Sequence, residues 1–163
     1  MKRFAWTLML VGVIIIQSLV VPREFSYSWA PHLLLDIALA VTILKGRSSG
    51  LLLAVVGGIV QDVMIGNYFG LHVVSYAAVS YALGSIHLTI YEEQWYASAG
   101  WIGLGAALVM LVQIGLLWIV QEPIILTTYI WNHGIPSIGI DALVGILVHK
   151  LVWRWEEKDE YMW

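Results

Sequence analysis

Asp36, Asp62 and Asp141 each stand inside an apolar run that reads as a membrane helix. A carboxylate at the centre of such a helix costs about 2.5–3.5 kcal/mol on insertion scales, and one Leu or Ile returns only about 0.3–0.6 kcal/mol. Three of them in 163 residues are expected to face protein or water rather than lipid. Three roles suit them. They can be structural, capping a helix, pairing with Arg23, or hydrogen-bonding across helices to Tyr76, Ser75 or His72. They can bind a proton, a cation or a cationic substrate, the uses that intramembrane acids often mark. Or the helix faces that carry them can receive a partner's helix.

Other chemistry finds less support. His32, His72 and His133 are expected near the outer side, where histidine and carboxylate together suit a metal. No H-x-x-x-H or H-x-x-E-H spacing occurs, so no metal site is expected, and no cofactor. His87 and His149 read as interfacial. With no cysteine there is no thiolate nucleophile and no disulfide. No serine has a base at a defensible spacing, so an intramembrane hydrolase is disfavoured. Gly57 and Gly58 read as helix packing, because no phosphate-loop or dinucleotide pattern surrounds them.

The elements that must position the acids follow from hydropathy. The chain is 60% hydrophobic and 12% charged, against about 25% charged in a soluble domain. It reads as an all-α, polytopic integral membrane protein: a six-helix transmembrane bundle in a single domain over 1–163. Spans are expected at about 4–21, 32–44, 50–65, 71–90, 97–120 and 137–152, with a cytoplasmic tail at 153–163. Lys2 and Arg3 before the first apolar run also suit a signal peptide. No clear small-residue cleavage site follows, so a retained helix is expected. Pro31 suits the first position of the second helix, where its missing N–H is no loss. Lys45 to Ser49 reads as a tight basic turn. Residues 121–136 read as a connection whose apolar piece, 124–131, lies at the interface.

Helices two and three are short, reaching roughly 21 and 24 Å against a hydrocarbon core of about 30 Å. They must be sheltered by other helices, thin the bilayer, or re-enter as a hairpin. With six spans and the N-terminus inside, Lys2, Arg3, Lys45, Arg47, Lys150, Arg154 and Lys158 all fall on the cytoplasmic side, and only Arg23 falls outside. That asymmetry favours six spans with both termini cytoplasmic. It also brings Asp36, Asp62 and Asp141 to one level in the outer half of the membrane, with Asp141 about one turn below the outer end of helix six.

Each acid lies on a stripe of small or polar residues at i+4 spacing. Gly50, Ala54, Gly58 and Asp62 share one face; Asp141, Gly145 and His149 another; Asp36 and Ala40 a third. His72, Tyr76, Ser80 and Gly84 form the matching stripe on helix four. Small residues let helix backbones approach closely where lipid offers no hydrophobic drive. The acid faces are thus expected to be helix–helix faces, and where they turn to lipid they would offer grooves to another protein's helix. The tail mixes Trp155, Tyr161 and Trp163 with acidic residues and reads as a solvated end with an aromatic anchor. No basic stripe suggests nucleic acid.

The stretch Pro31-His-Leu-Leu-Leu-Asp36-Ile37, then Gly50, Gly57-Gly-Ile-Val-Gln-Asp62, Gly66 and Phe69-Gly70-Leu71 resembles the bacterial rod shape-determining protein MreD family. The motif-level likeness covers about residues 31–84. Beyond it only hydropathy is shared, so Asp141 is not carried over. The resemblance implies a non-enzymatic subunit of the cell-elongation machinery in the bacterial inner membrane. Its implied partners are MreC, the cell-wall synthase RodA with its transpeptidase, indirectly the actin-like MreB, and membrane lipids. It also implies that Asp36 and Asp62 support the fold or the contact with MreC. Pro31, Gly50, Gly58, Gly66, Gly70 and His72 accompany them as structural or partner-binding candidates. The alternative is the substrate-binding subunit of an energy-coupling-factor vitamin transporter, in which the Asp and His groups would line an outward-facing pocket.

Overall fold

A computed structural model describes residues 11–20, 30–65, 68–86, 94–123 and 125–160. Residues 11–20 form helix α1, whose last five residues, Ile16–Val20, are π-helical. Then come α2 (Leu33–Lys45), α3 (Arg47–Ile65), α4 (Leu71–Ser85) and α5 (Trp95–Ile119). The last helix, α6, runs without a break through Leu126–Tyr129, a π-helical turn Ile130–Gly134, and Ile135–Glu160. No strand occurs among the described residues. Among the described residues, three stretches are long and apolar enough to cross a membrane: Arg47–Met64, Trp95–Ile119 and Leu126–Arg154. The chain is an all-α, multi-pass membrane protein.

The organising element is α2. It is apolar all round, as a helix surrounded by others must be, and every residue from Leu34 to Ile43 is buried. Helices α3, α4, α5 and α6 all pack on it. Its thirteen residues, about 20 Å of helix, are thus sheltered by protein rather than matched to lipid. Helix α3 packs antiparallel to α2, and α4 antiparallel to α3. The approach is close because the facing positions are small. A Cβ on Gly50 would overlap Thr42, and one on Gly57 would stand 3.3 Å from Leu34 Cβ.

Three boundaries before the last helix differ from the sequence expectation. The basic turn shrinks to Gly46, and Arg47, Ser48 and Ser49 already belong to α3. Gly46 has φ +96° and ψ 170°, a conformation that a side chain disfavours. It closes α2 through its N–H to Thr42 O and accepts the N–H of Gly50 to open α3. One glycine thus serves as both caps. The fourth helix ends at Ser85, before extended Ile86, and residues 87–93 lie outside those described. Trp95 and Tyr96, expected in a loop, open α5.

The largest difference is at the C-terminal end. Residues 126–131, expected in an interfacial connection, are the start of α6, and 153–160 prolong it. Proline inside a helix normally breaks it by losing one N–H and crowding the preceding turn. Here the π-helical turn Ile130–Gly134 lies just before Pro136, and such a widened turn can take up that misfit. The spanning stretch Leu126–Arg154 has 29 residues, about 43 Å along its axis, so it must tilt or project from a core of about 30 Å. In the turn before α4, interaction with the Glu122 carboxylate beyond the end of α5 holds the Tyr68 phenol above its ordinary pKa.

Candidate functional site: two carboxylate clasps and a buried acid

Helix N-termini leave N–H groups without intrahelical partners. At membrane depth no water is at hand to satisfy them. The start of α4 is satisfied by Asp62, on α3. Gly70 N–H donates to Asp62 Oδ2 at 2.8 Å, His72 N–H to Oδ1 at 2.9 Å, and Val73 N–H to Oδ2 at 3.3 Å. The His72 ring adds a bond from Nδ1 to Oδ1 at 2.8 Å. Gly70, with φ +102°, turns the chain so that these donors face one carboxylate. Gly58 lets α3 come near enough: a Cβ there would stand 2.5 Å from Val73 Cα and 2.7 Å from its nitrogen. Both contacts are with backbone, so nothing flexible can move aside. Gly58→Ala is expected to push α4 away, stretch the clasp, and destabilise the protein by about 1–3 kcal/mol, seen as a lower melting temperature in detergent. An unchanged melting curve would show that the helices are not locked together at this point.

The start of α2 is built on the same plan. His32 N–H donates to Asp141 Oδ1 at 2.8 Å, and the His32 ring Nδ1 bonds Asp141 Oδ2 at 3.0 Å. The next donor, Leu33 N–H, goes to Gln17 Oε1 at 3.0 Å, and Gln17 Nε2 returns a bond to Pro31 O at 3.1 Å. Pro31 itself has no N–H to satisfy. In both clasps a carboxylate from a long helix holds a backbone N–H and a ring nitrogen of the same histidine, near the start of a short helix. A carboxylate beside each ring nitrogen fixes the tautomer that carries hydrogen on Nδ1.

Asp36, one turn into α2, belongs to neither clasp. It is fully buried, and neither of its oxygens has a hydrogen-bond partner. Tyr76, on α4, is also buried, with its hydroxyl unpartnered. This hydroxyl lies within electrostatic range of Asp36, Asp62 and Asp141. The Tyr76 ring packs edge-on to His72 with centroids 5.7 Å apart. The two clasps and Asp36 are therefore neighbours in one polar core.

The candidates from the sequence fall as follows. Asp36, Asp62 and Asp141 are 0%, 2% and 1% exposed, so all three face protein. Pro31 and His72 stand at the starts of the clasped helices, and Gly58 and Gly70 shape the Asp62 clasp. Gly50 packs α3 on α2. Gly66 and Arg23 lie outside the described residues. Asp141 is not one turn below the end of its helix but about four turns in, level with the middle of Leu126–Arg154, because α6 continues through Pro136. The start of α2 therefore meets α6 near the middle of that stretch. The stripe Gly50, Ala54, Gly58 and Asp62 does not turn to lipid. It is spent on α2 and α4, and the outward face of α3 carries Leu52, Val56, Ile59 and Val63 instead.

Gln17 did not stand out in the sequence, and the pairing of His32 with Asp141 was not legible there. Gln17 is the lone polar amide in the first apolar run, a signal that could have marked it. His32 precedes Asp36 by one turn, but nothing local links it to a residue 109 positions away. Among the described residues, no three of His, Cys, Asp and Glu converge as a metal would require. An outward-facing ligand pocket lined by the acids would need them accessible, and they are covered.

Comparison with known proteins places the chain. A search of curated proteins and one of solved structures each gave no significant match. The sequence model of one family, described as rod shape-determining protein MreD, matches residues 1–155. With almost the whole length matched, including both clasps, the chain belongs to the MreD family of rod shape-determining membrane proteins.

Proposed function

We propose that this chain is a non-enzymatic inner-membrane subunit of the bacterial elongation machinery. In this reading it binds MreC and, through it, helps to hold RodA, its transpeptidase and, indirectly, MreB at the site of wall synthesis. The observation that carries the reading is the family match over residues 1–155. The geometry agrees with it. The acids that looked most able to do chemistry are engaged otherwise: Asp62 and Asp141 give their oxygens to backbone N–H groups and histidine rings. Catalysis then belongs to the partners, and this chain supplies a rigid body for them to meet. The large apolar side chains on the outward face of α3 suit contact with acyl chains. Six spans, with both termini on the cytoplasmic side, remain the topology that the distribution of basic residues favours.

The test is affinity purification of the full chain from bacterial membranes in mild detergent, with identification of what accompanies it. MreC is expected with the wild-type protein. A chain that purifies folded, repeatedly, without MreC would overturn the proposal. A vitamin-sized ligand or an ATPase pair co-purifying in its place would favour transport.

A further inference from the structure

Asp36 is the acid that the clasps leave out. It lies on the helix that the others surround, and both its oxygens are buried without a partner. Asp141 is within electrostatic range of it. His32 precedes Asp36 by one turn, and Asp141 on α6 and Tyr76 on α4 lie within electrostatic range. Beyond Tyr76 come His72 on α4, bonded to Asp62 on α3, and Gln17 on α1 holds the start of the helix. Helix α5 has no charged residue. Lys45 and Arg47 stand at the opposite ends of α2 and α3. Among the described residues no cationic side chain is thus placed to neutralise Asp36, and both nearby histidine rings are already committed to other carboxylates.

A buried, unpaired carboxylate costs several kcal/mol even after relaxation. A second carboxylate nearby raises that cost, because two like charges in a poorly screened interior resist ionising together. Of the pair, Asp141 is the one whose oxygens are engaged, by two bonds to His32. Asp36 receives none. We propose that Asp36 is a proton-binding site: at neutral pH it is a carboxylic acid set beside the carboxylate of Asp141. The Tyr76 hydroxyl on α4 is itself buried without a partner, so no bond from it stabilises a charge on Asp36. The bound proton thereby lets the central helix carry a polar group without a net charge.

The test is infrared spectroscopy of the full chain in lipid nanodiscs at neutral pH, with 13C in the side-chain carboxyl of aspartate. The expected spectrum has a protonated-carboxyl C=O band that shifts with the label. It is lost in Asp36→Asn and kept in Asp62→Asn and Asp141→Asn. A labelled wild-type spectrum with no such band overturns the proposal, as does a band that survives Asp36→Asn or vanishes in Asp141→Asn. Should Asp36→Asn fail to fold, Asp36→Glu decides: it keeps an acid at the site but no aspartate there, so the label-sensitive band is expected to vanish, and its survival overturns the proposal.

Discussion

Asp62→Leu is expected to be the most damaging single change in the chain. The substitution removes four hydrogen bonds at once and leaves the N–H groups of Gly70, His72 and Val73 without their acceptor. Each buried donor left unsatisfied costs about 1–3 kcal/mol. The sum is of the order of the whole stability of a domain this size, about 5–15 kcal/mol. The protein is expected to accumulate poorly, to lose its cooperative melt in detergent, and to leave rod-shaped cells rounded. Asp62→Asn should do less harm. Its one carbonyl oxygen still accepts, but the amide meets donors where the second oxygen stood. Equal accumulation and melting of Asp62→Leu and wild type would refute the clasp as a support of the fold.

Asp141→Leu is expected to come second, with a cost of about 3–5 kcal/mol for breaking a buried polar pair from one side. It frees His32 N–H and the His32 ring, while Leu33 N–H keeps its partner in Gln17. The remaining amide bond is the reason for ranking it below Asp62→Leu. A double-mutant cycle with His32→Ala separates the ring bond from the backbone bond. His32→Ala alone should be milder, since the backbone N–H stays clasped. The double variant should melt close to Asp141→Leu, because the ring has already lost its partner there. Additive losses, with the double variant falling below Asp141→Leu by the full cost of His32→Ala, would show that ring and carboxylate act separately.

The sequence made some of this plain and hid the rest for definite reasons. Helix identity and number follow from apolar runs, and the burial of Asp36, Asp62 and Asp141 follows from the cost of a carboxylate in oil. The Asp62 clasp is local, within eleven residues, and the stretch from Gly57 to Leu71 that builds it is also the stretch that resembles the family. The Asp141 clasp joins residues 109 apart, and no periodicity relates them. Its depth was misjudged for a separate reason. Pro136 reads as a helix boundary, and whether a π-helical turn absorbs a proline depends on packing that is not written nearby. The Lys45 to Ser49 turn failed on the opposite ground. Two serines and a glycine suggest a loop, yet a single residue at positive φ was enough.

The meeting of Gln17 and Asp141 at the tip of α2 bears on how the molecule is made. A ribosome delivers the amide early and the carboxylate late, and no nascent chain shorter than 141 residues holds both. Until then the central helix has an open amino end, an acid one turn below it, and too little length to cross oil by itself. Closure waits for α6, so synthesis must keep this segment sheltered, by translocon or by helper proteins, until that helix arrives.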